Sequence, residues 1–469
     1  MRVVTVGAGM MGLCTAMLLA RDGHEVTVLE RDAEGPPDPA TAFDGWERRG
    51  VNQFRLAHLF LSRFRQLAES ELPDLPGALE AGGALRYNVV ANIPDEMKGG
   101  SQPGDDRFDL ITGRRATVEA ATARLAESTP GVSIRRGAPV EGLVTGTSDR
   151  PGVPHVTGVR LESGEQVPAD LVVDAGGRRS PLPRWLAGIG ARAAEEELED
   201  CGFVYYGRHF RSGDGEMPVM IGPLKQDWGS IGVLTLPADN GTWSVTLTAS
   251  SNDPALRALR DPEKWTAVAR LLPLTAHWID AVPIEPGVVS MSKIEDRIRD
   301  LAPGDEPVVT GVVTVADAWA CTNPSLGRGA SVGLMHAVAL RDHLRKSPGD
   351  PWELARDWAR TTRETVEPWY RTTLRYDRHR LREIDAVIDG TTYRTDDEFW
   401  SLNHGLEGSA LADGDMIRAV LDMAMVLRHP DDVLGDDGLR SRLRGLQSEG
   451  ADGEPTGGPT RADLLAAIA

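Results

Sequence analysis

Cysteine is scarce: Cys14, Cys201 and Cys321 are the only three in 469 residues. They show no metal-ligand spacing and an odd number cannot all pair, so a disulfide framework is excluded and a reducing, cytoplasmic setting is expected. Positive charge is in deficit, with 51 Lys and Arg against 70 Asp and Glu and a net charge of −19. That excess repels phosphate backbones and acidic lipid surfaces, which argues against nucleic acid and anionic membrane as partners. No apolar run reaches the roughly 18 residues of a membrane span. The first residues read as a folded strand and turn, not as a signal peptide. Hydrophobic content (41%) and charge (26%) are those of a globular protein. The length allows two or three packed units around a large core.

The chain opens on a βαβ pattern. Arg2–Val6 is a short β-branched run, as a buried parallel strand requires, Met10–Arg21 carries a helical spacing of apolar and small residues, and Glu25–Glu30 is a second strand. Between the first strand and the helix lies GAGMMG, Gly7–Gly12. Gly7 permits a tight turn, Gly9 lets backbone approach a pyrophosphate, and Gly12 lets helix and strand pack closely. The helix N-terminus, at Met10 and Met11, offers free N–H groups and partial positive charge to phosphates. Glu30, followed by Arg31, ends the second strand at the distance where an acid accepts bonds from an adenosine ribose. The motif marks a dinucleotide site and does not by itself distinguish NAD from FAD.

Residues 33–47 read as loop. Arg48–Phe60 (RRGVNQFRLAHLF) is rich in basic and hydrogen-bonding groups, and Leu61–Leu72 continues as a helix. Arg48, Arg49, Gln53, Arg55 and His58 are candidates for cofactor contact, the alternative being a solvated loop and helix face. Arg114–Glu127 is a helix after Leu110-Ile111-Thr112. Val132–Arg136 and Glu141–Val144 read as strands, and Thr157–Glu162 with Gln166–Pro168 as a hairpin around Ser163-Gly164. Asp170–Leu186 (DLVVDAGGRRSPLPRWL) and, after a strand over Pro307–Val315, Ala316–Gly329 (ADAWACTNPSLGRG) are two further motifs, the last opening a helix over Ala330–Leu344.

These three motifs in this order resemble the class A flavoprotein monooxygenases, the para-hydroxybenzoate hydroxylase superfamily, over about residues 1–345. The resemblance implies an α/β fold: a Rossmann-like (GR2-type) FAD-binding domain, an antiparallel β-sheet substrate domain and a helical C-terminal region. It implies FAD as cofactor, with Arg115 (Arg114 being the rival) opening its helix onto the cofactor and Val140 packing near the adenine. It further implies that Asp317, where the family has Gly-Asp and this chain Ala316-Asp317, accepts from a ribityl hydroxyl. Pro324, Gly327, Gly329 and Ala330 then present a helix N-terminus to the flavin pyrimidine edge, where fixed donors stabilise the charge of reduced flavin. One departure stands out: the family's Ala-Asp-Gly reads Ala175-Gly176-Gly177, so the acid is missing, with Asp174 two residues early and Arg178, Arg179, Ser180 and Arg184 following. In relatives this region touches FAD and reduced nicotinamide, so electrons are expected from NAD(P)H bound weakly or from a separate flavin reductase.

Glu195–Pro283 has another texture. Phe203–Phe210, Met217–Gly222, Gly229–Leu236 and Trp243–Ser250 read as strands of an antiparallel sheet roofing the cofactor. Tyr205, Tyr206, Arg208, His209, Trp228 and Trp243 are its candidate pocket residues, with Tyr206, Arg208, Trp228 and Trp243 singled out for substrate. Helices are expected over Pro351–Asp385, Asp396–Leu411, Met416–Arg428 and Arg461–Ala467, with a glycine-rich linker at 448–459. The domain division is then 1–194 (FAD-binding, with a substrate-domain insertion near 86–107), 195–284 (substrate sheet), 285–345 (FAD-binding, second part) and 346–469 (helical).

The activity implied is a monooxygenase that passes one oxygen atom of O2, through a flavin C4a-peroxide, to a small organic, natural-product-like substrate by epoxidation or hydroxylation. No catalytic side chain is assigned and no metal is expected. The RRGV-Q…H, YYGRHF and NPSLGRG segments are similar to the bacterial squalene-epoxidase-like polyether epoxidases. A flavin-dependent halogenase needs a lysine near the flavin and a WxWxIP stretch; no lysine precedes Lys98 and no such tryptophan pair exists. A flavin oxidase or a geranylgeranyl-reductase-type enzyme shares all three motifs, and a non-catalytic FAD-stabilised interaction protein is the reading from another class.

Overall fold

The computed structural model describes all residues except 49, 52, 214–215, 347–348, 411–412 and 449–456. Arg49 and residues 449–456 of the expected linker therefore lie outside the described residues. Five parallel strands stand in the spatial order Val312–Thr314, Leu171–Asp174, Arg2–Val6, Glu25–Leu29, Val132–Arg135. The central strand is buried from Val3 to Val6, as its β-branched composition requires, with Val4 paired to Val172 on one side and Thr27 on the other. The helix Met10–Arg21 spans the predicted residues and is buried along nearly its whole length. Its Leu13, Met17 and Leu18 share a core with Val118 of the helix Arg115–Glu127 and with Leu334 and Leu340 of the helix Gly329–Lys346. The first motif and the third are thereby packed back to back.

A second sheet is antiparallel, in the order Lys225–Trp228, Ile231–Pro237, Thr242–Ser250, Phe203–Arg211, Val282–Pro283. One face packs on the helix Pro262–Arg270, where Tyr206, Phe210, Trp243 and Trp265 form a single core. The strand expected at Met217–Gly222 is absent: Pro218 and Pro223 remove ladder donors, Val219 and Ile221 are exposed, and the edge strand is Lys225–Trp228 instead. The strand expected over Pro307–Val315 shrinks to Val312–Thr314 because Gly311 turns left-handed (φ 76°), handing Thr310 O to Val156 N at 2.8 Å.

The C-terminal region is helical, as expected, but more finely divided. The run Pro351–Asp385 splits into Pro351–Thr365 and Glu367–Ile388 because Pro368 cannot continue the first helix. Glu398–Ser409 and Gly414–Ala424 follow, capped by the side chains of Asp397 and Asp413. Pro430–Leu434 and Asp437–Ser448 were not expected, whereas Arg461–Ala467 was. No helix among the described residues is long and apolar enough to cross a membrane.

Candidate active site

One cleft of about 1500 Å³ runs from the Gly7–Gly12 turn to the C-terminal helices. It exceeds the roughly 300–1,000 Å³ typical of a single small-molecule pocket, so it has room for two ligands. All fourteen residues expected at the cofactor line it, from Gly7 through Arg31, Arg115 and Val140 to Ala330.

At the nucleotide end, Gly7 has φ 103°, and a Cβ there would stand 2.7 Å from Ala175 O. Gly9 is the opposite case: a Cβ would meet nothing within 4 Å. It borders open cleft where a pyrophosphate would approach. The helix that follows has no capping side chain and no acid in its first turn, so its first N–H groups are left for an anion. Glu30 is less free than expected. Its carboxylate accepts from Ala8 N (2.9 Å) and Asp32 N (3.0 Å) and pairs with Arg48 at 2.5 Å. A carboxylate has about four acceptor positions, which leaves room for one ribose hydroxyl. Arg48 also bonds Glu119 at 2.7 Å, and Glu119 holds Arg115 at 2.7 Å, so a buried chain of alternating charge backs this end of the cleft.

Helix geometry sends Arg114 and Arg115 in different directions. Arg115 faces the cleft, while Arg114 turns away to pair with buried Asp239 at 2.7 Å and to cover the Phe43 ring. Arg55 is likewise off the cleft, bonded to Phe43 O. His58 and Gln53 line it and contact each other at 3.3 Å. Burial pulls the His58 imidazole down to about 3, so it stays neutral and does no acid–base work near neutral pH.

At the second motif, Asp174 cannot stand in for the missing acid. It is buried, accepts from Gly176 N (2.9 Å) and Ser180 Oγ (2.5 Å), and so closes its own turn. Arg178, Arg179 and Arg184 line the cleft nearby. At the third motif, Ala316 sits at φ 50°, the conformation for which the family's glycine is suited, with its N–H on His336 Nδ1 at 3.2 Å. Asp317 faces the cleft and has no hydrogen-bond partner among the described residues. Its carboxyl is pushed up by desolvation. An acceptor held open beside the Gly329–Lys346 helix N-terminus suits a polyhydroxyl chain and an electron-rich ring edge. The open turn at Gly9, the free helix ends and unpartnered Asp317 together fit FAD.

The strand alternation of Phe203–Arg211 divides the substrate candidates. Tyr205 lines the cleft, its hydroxyl on Asn323 Oδ1 at 2.7 Å, and Trp228 lines it farther along. Tyr206, Arg208 and Trp243 do not: successive residues of a strand point to opposite faces, and these three face the Pro262–Arg270 side. Tyr206 O takes Trp265 Nε1 (2.9 Å), Arg208 reaches Thr266 Oγ1 (3.2 Å), and Trp243 Nε1 donates to Trp278 O (2.8 Å). His209 is also off the cleft, 3.2 Å from Glu285.

The far wall of the cleft went unrecognised. Trp369, Thr373, Tyr376, Arg380, Glu383 and Val387 line it, a stripe at i+3 and i+4 spacing along one helix. That stripe was readable, but its mixture of aromatic and charged residues does not look like a core face. Trp400 and Glu407 complete the wall, and Gly458 of the tail lies against the Trp228 ring. Among the described residues no cluster of His, Cys, Asp or Glu could hold a metal ion.

Comparison with known proteins agrees with this geometry. The sequence model for FAD dependent oxidoreductase matches residues 2–102. Protein Rv3254 of Mycobacterium tuberculosis is 30% identical over 395 residues, covering 78% of this chain and 77% of that protein. Kynurenine 3-monooxygenase of Salinispora arenicola is 31% identical over 199 residues, 42% of this chain and 40% of the enzyme. The solved structure of PqsL of Pseudomonas aeruginosa, described as a probable FAD-dependent monooxygenase, shares the fold with a TM-score of 0.59 at 18% identity, covering 83% of this chain and 99% of that one.

Proposed function

This chain belongs to the FAD-dependent oxidoreductases, and we propose that it is a monooxygenase that inserts one oxygen atom from O2 into an organic, secondary-metabolite-like substrate. The observation that carries the reading is the single cleft in which the three nucleotide motifs open directly onto a chamber walled by Tyr205, Trp228, Trp369 and Trp400. Cofactor and substrate would share one enclosed space, as oxygen transfer requires. Similarity to a kynurenine 3-monooxygenase over part of the chain and to the PqsL fold supports the same reading.

In this reading residues 1–194 and 285–345 form the FAD-binding part, 195–284 roof it, and 346–469 supply the far wall. FAD, when bound, supplies the activation of oxygen. Gly9 and the helix N–H groups at Met10 and Met11 would hold the pyrophosphate, Glu30 a ribose hydroxyl and Asp317 the ribityl chain. The protein's own task is to bind, orient and exclude water. His58 is neutral and bonded to Gln53, and no side-chain base is assigned. Epoxidation of an electron-rich double bond, as in squalene-epoxidase-like enzymes, and ring hydroxylation both fit a site of this kind.

Electrons would come from NAD(P)H or a partner flavin reductase. The pinned Asp174 and the glycine at 176 favour weak direct nicotinamide binding. The test is to mix FAD-loaded protein with NADPH, NADH or a reductase under air and to follow oxygen uptake beside product mass. Substrate that gains one oxygen atom is expected. Release of all consumed oxygen as hydrogen peroxide would mark an oxidase, and a hydrogenated product without oxygen uptake a reductase.

A further inference from the structure

Three arginines of the cleft wall are held by carboxylates. Arg48 is held by Glu30 and Glu119, Arg115 by Glu119, and Arg380 by Asp227 and Glu383. Arg328, between the two glycines of the third motif, is different. It lines the cleft at 7% exposure, and among the described residues no carboxylate oxygen lies within 4 Å of its guanidinium. Its Nε has no acceptor, Nη1 makes one 3.3 Å bond to Thr373 Oγ1, and the group sits 5.4 Å from the Trp369 ring centre. Burying a guanidinium with donors unfilled is costly, and burial pulls Arg328 down to about 10.

Two carboxyl groups are near enough to act on it, and neither serves as its partner. Asp377 accepts from Ser325 Oγ with one oxygen (2.6 Å) while the other is buried without a hydrogen-bond partner among the described residues, and burial lifts it to about 7, so it is a partial counter-charge at neutral pH. Glu407 is raised by burial and is bonded to Asn403 at 3.1 Å. The contacts of Arg328 lie on the helix Glu367–Ile388, which is the substrate wall. Trp369 stands beside it, and the same cleft is lined by the rings of Trp228, Tyr376 and Trp400 and by apolar Leu421 and Met425.

We propose that Arg328 is the specificity-determining anchor for a carboxylate on an otherwise aromatic or apolar substrate. A planar guanidinium presents a fork that matches a carboxylate bidentately, so the pairing would fix orientation as well as charge. The acid end would lie beside the Gly327–Gly329 loop and the apolar body would extend along Trp369 and Tyr376. The proposal rests on the reading of the cleft as shared by FAD and substrate.

The test uses FAD-loaded protein and two probes of equal shape, 2-naphthoate and 2-naphthamide, titrated by calorimetry with the flavin absorbance spectrum as a second signal. Naphthoate is expected to bind at least about tenfold more tightly than the amide. Arg328→Gln should abolish that preference while FAD stays bound, and Arg328→Lys, which keeps the charge and loses the fork, should retain part of it. Equal affinity for the two probes, no binding of naphthoate, or undiminished preference in R328Q would overturn the proposal. An R328Q protein that sheds FAD while R328K keeps both FAD and full preference would assign the charge to the cofactor and also overturn it. A parent protein that takes up no FAD would remove the premise itself, which the yellow colour reports independently of either probe.

Discussion

Arg48 donates to Glu30 at 2.5 Å from across the nucleotide turn, with both side chains buried. The acid that ends the second strand is therefore part of the fold before any ribose reaches it. Glu30→Ala is expected to remove a charge-assisted bond to the cofactor worth about 1.5–3 kcal/mol, or roughly ten- to a hundredfold in FAD affinity. It should also lower the melting temperature of the apoprotein, because Arg48 loses one of its three carboxylate partners and keeps Glu119, Asp32 and Ala8 O. FAD titration and apoprotein melts check the two effects separately. An unchanged apoprotein melt would mean that the buried pair adds nothing to folding.

Gly9 separates binding from folding more sharply. A side chain there enters open cleft, so Gly9→Val should leave apoprotein stability within about 1 kcal/mol of the parent and abolish yellow colour at purification. A G9V protein that binds FAD normally would place the pyrophosphate elsewhere.

Ala316 occupies backbone space that costs an L-residue about 1–2 kcal/mol. Ala316→Gly relieves this and gives back up to about 1 kcal/mol through unfolded-chain entropy. The expected outcome is unchanged or slightly raised stability, by up to about 1 kcal/mol in chemical denaturation. Clear destabilisation by the glycine would show that the Ala316 methyl packs better than its strain costs.

Asp377 gives a pH signature. Burial raises its folded pKa to about 7, above the unfolded value, so the folded state holds a proton that the unfolded state releases. Stability is then lost as pH rises from about 4 to about 7. Asp377→Asn keeps an acceptor for Ser325 and removes the titration. The variant should be more stable than the parent at pH 8, by on the order of 2 kcal/mol, with the gap closing toward pH 5. Parallel urea titrations at the two pH values measure it, and a gap that does not change with pH would refute the assignment.

The nucleotide half was legible because its signals are local. The Gly7–Gly12 turn, the helix Met10–Arg21 and the Asp317 motif depend on backbone geometry that few residue types permit. The substrate half was harder for a physical reason. Alternation along Phe203–Arg211 shows that Tyr205 and Tyr206 face opposite ways, but not which face meets the cleft; that choice is made by Trp265, sixty residues on. The far wall was missed because the stripe along Glu367–Ile388 mixes aromatic and charged residues, so its spacing shows a shared face but not that the face meets a cleft. Arg328 was inside a recognised motif, yet its isolation from carboxylates became visible only once Trp369 and Thr373 were placed beside it.

The central strand Arg2–Val6 has its two neighbours at very unequal distances along the chain, Glu25–Leu29 close by and Leu171–Asp174 far away. As the polypeptide emerges from a ribosome, the near edge can pair almost at once. The far edge waits for residue 171, roughly ten seconds or more at about 5–20 residues per second. For that interval the nascent molecule carries an apolar strand with one open ladder, the state most prone to sticking to another chain. Pairing of Val3–Val6 with Leu171–Asp174 ends the exposure, and the surface pair Arg2–Asp170 (2.9 Å) stands at the outer end of that ladder. Synthesis speed between residues 29 and 171 is thus expected to shift how much of this protein matures instead of aggregating.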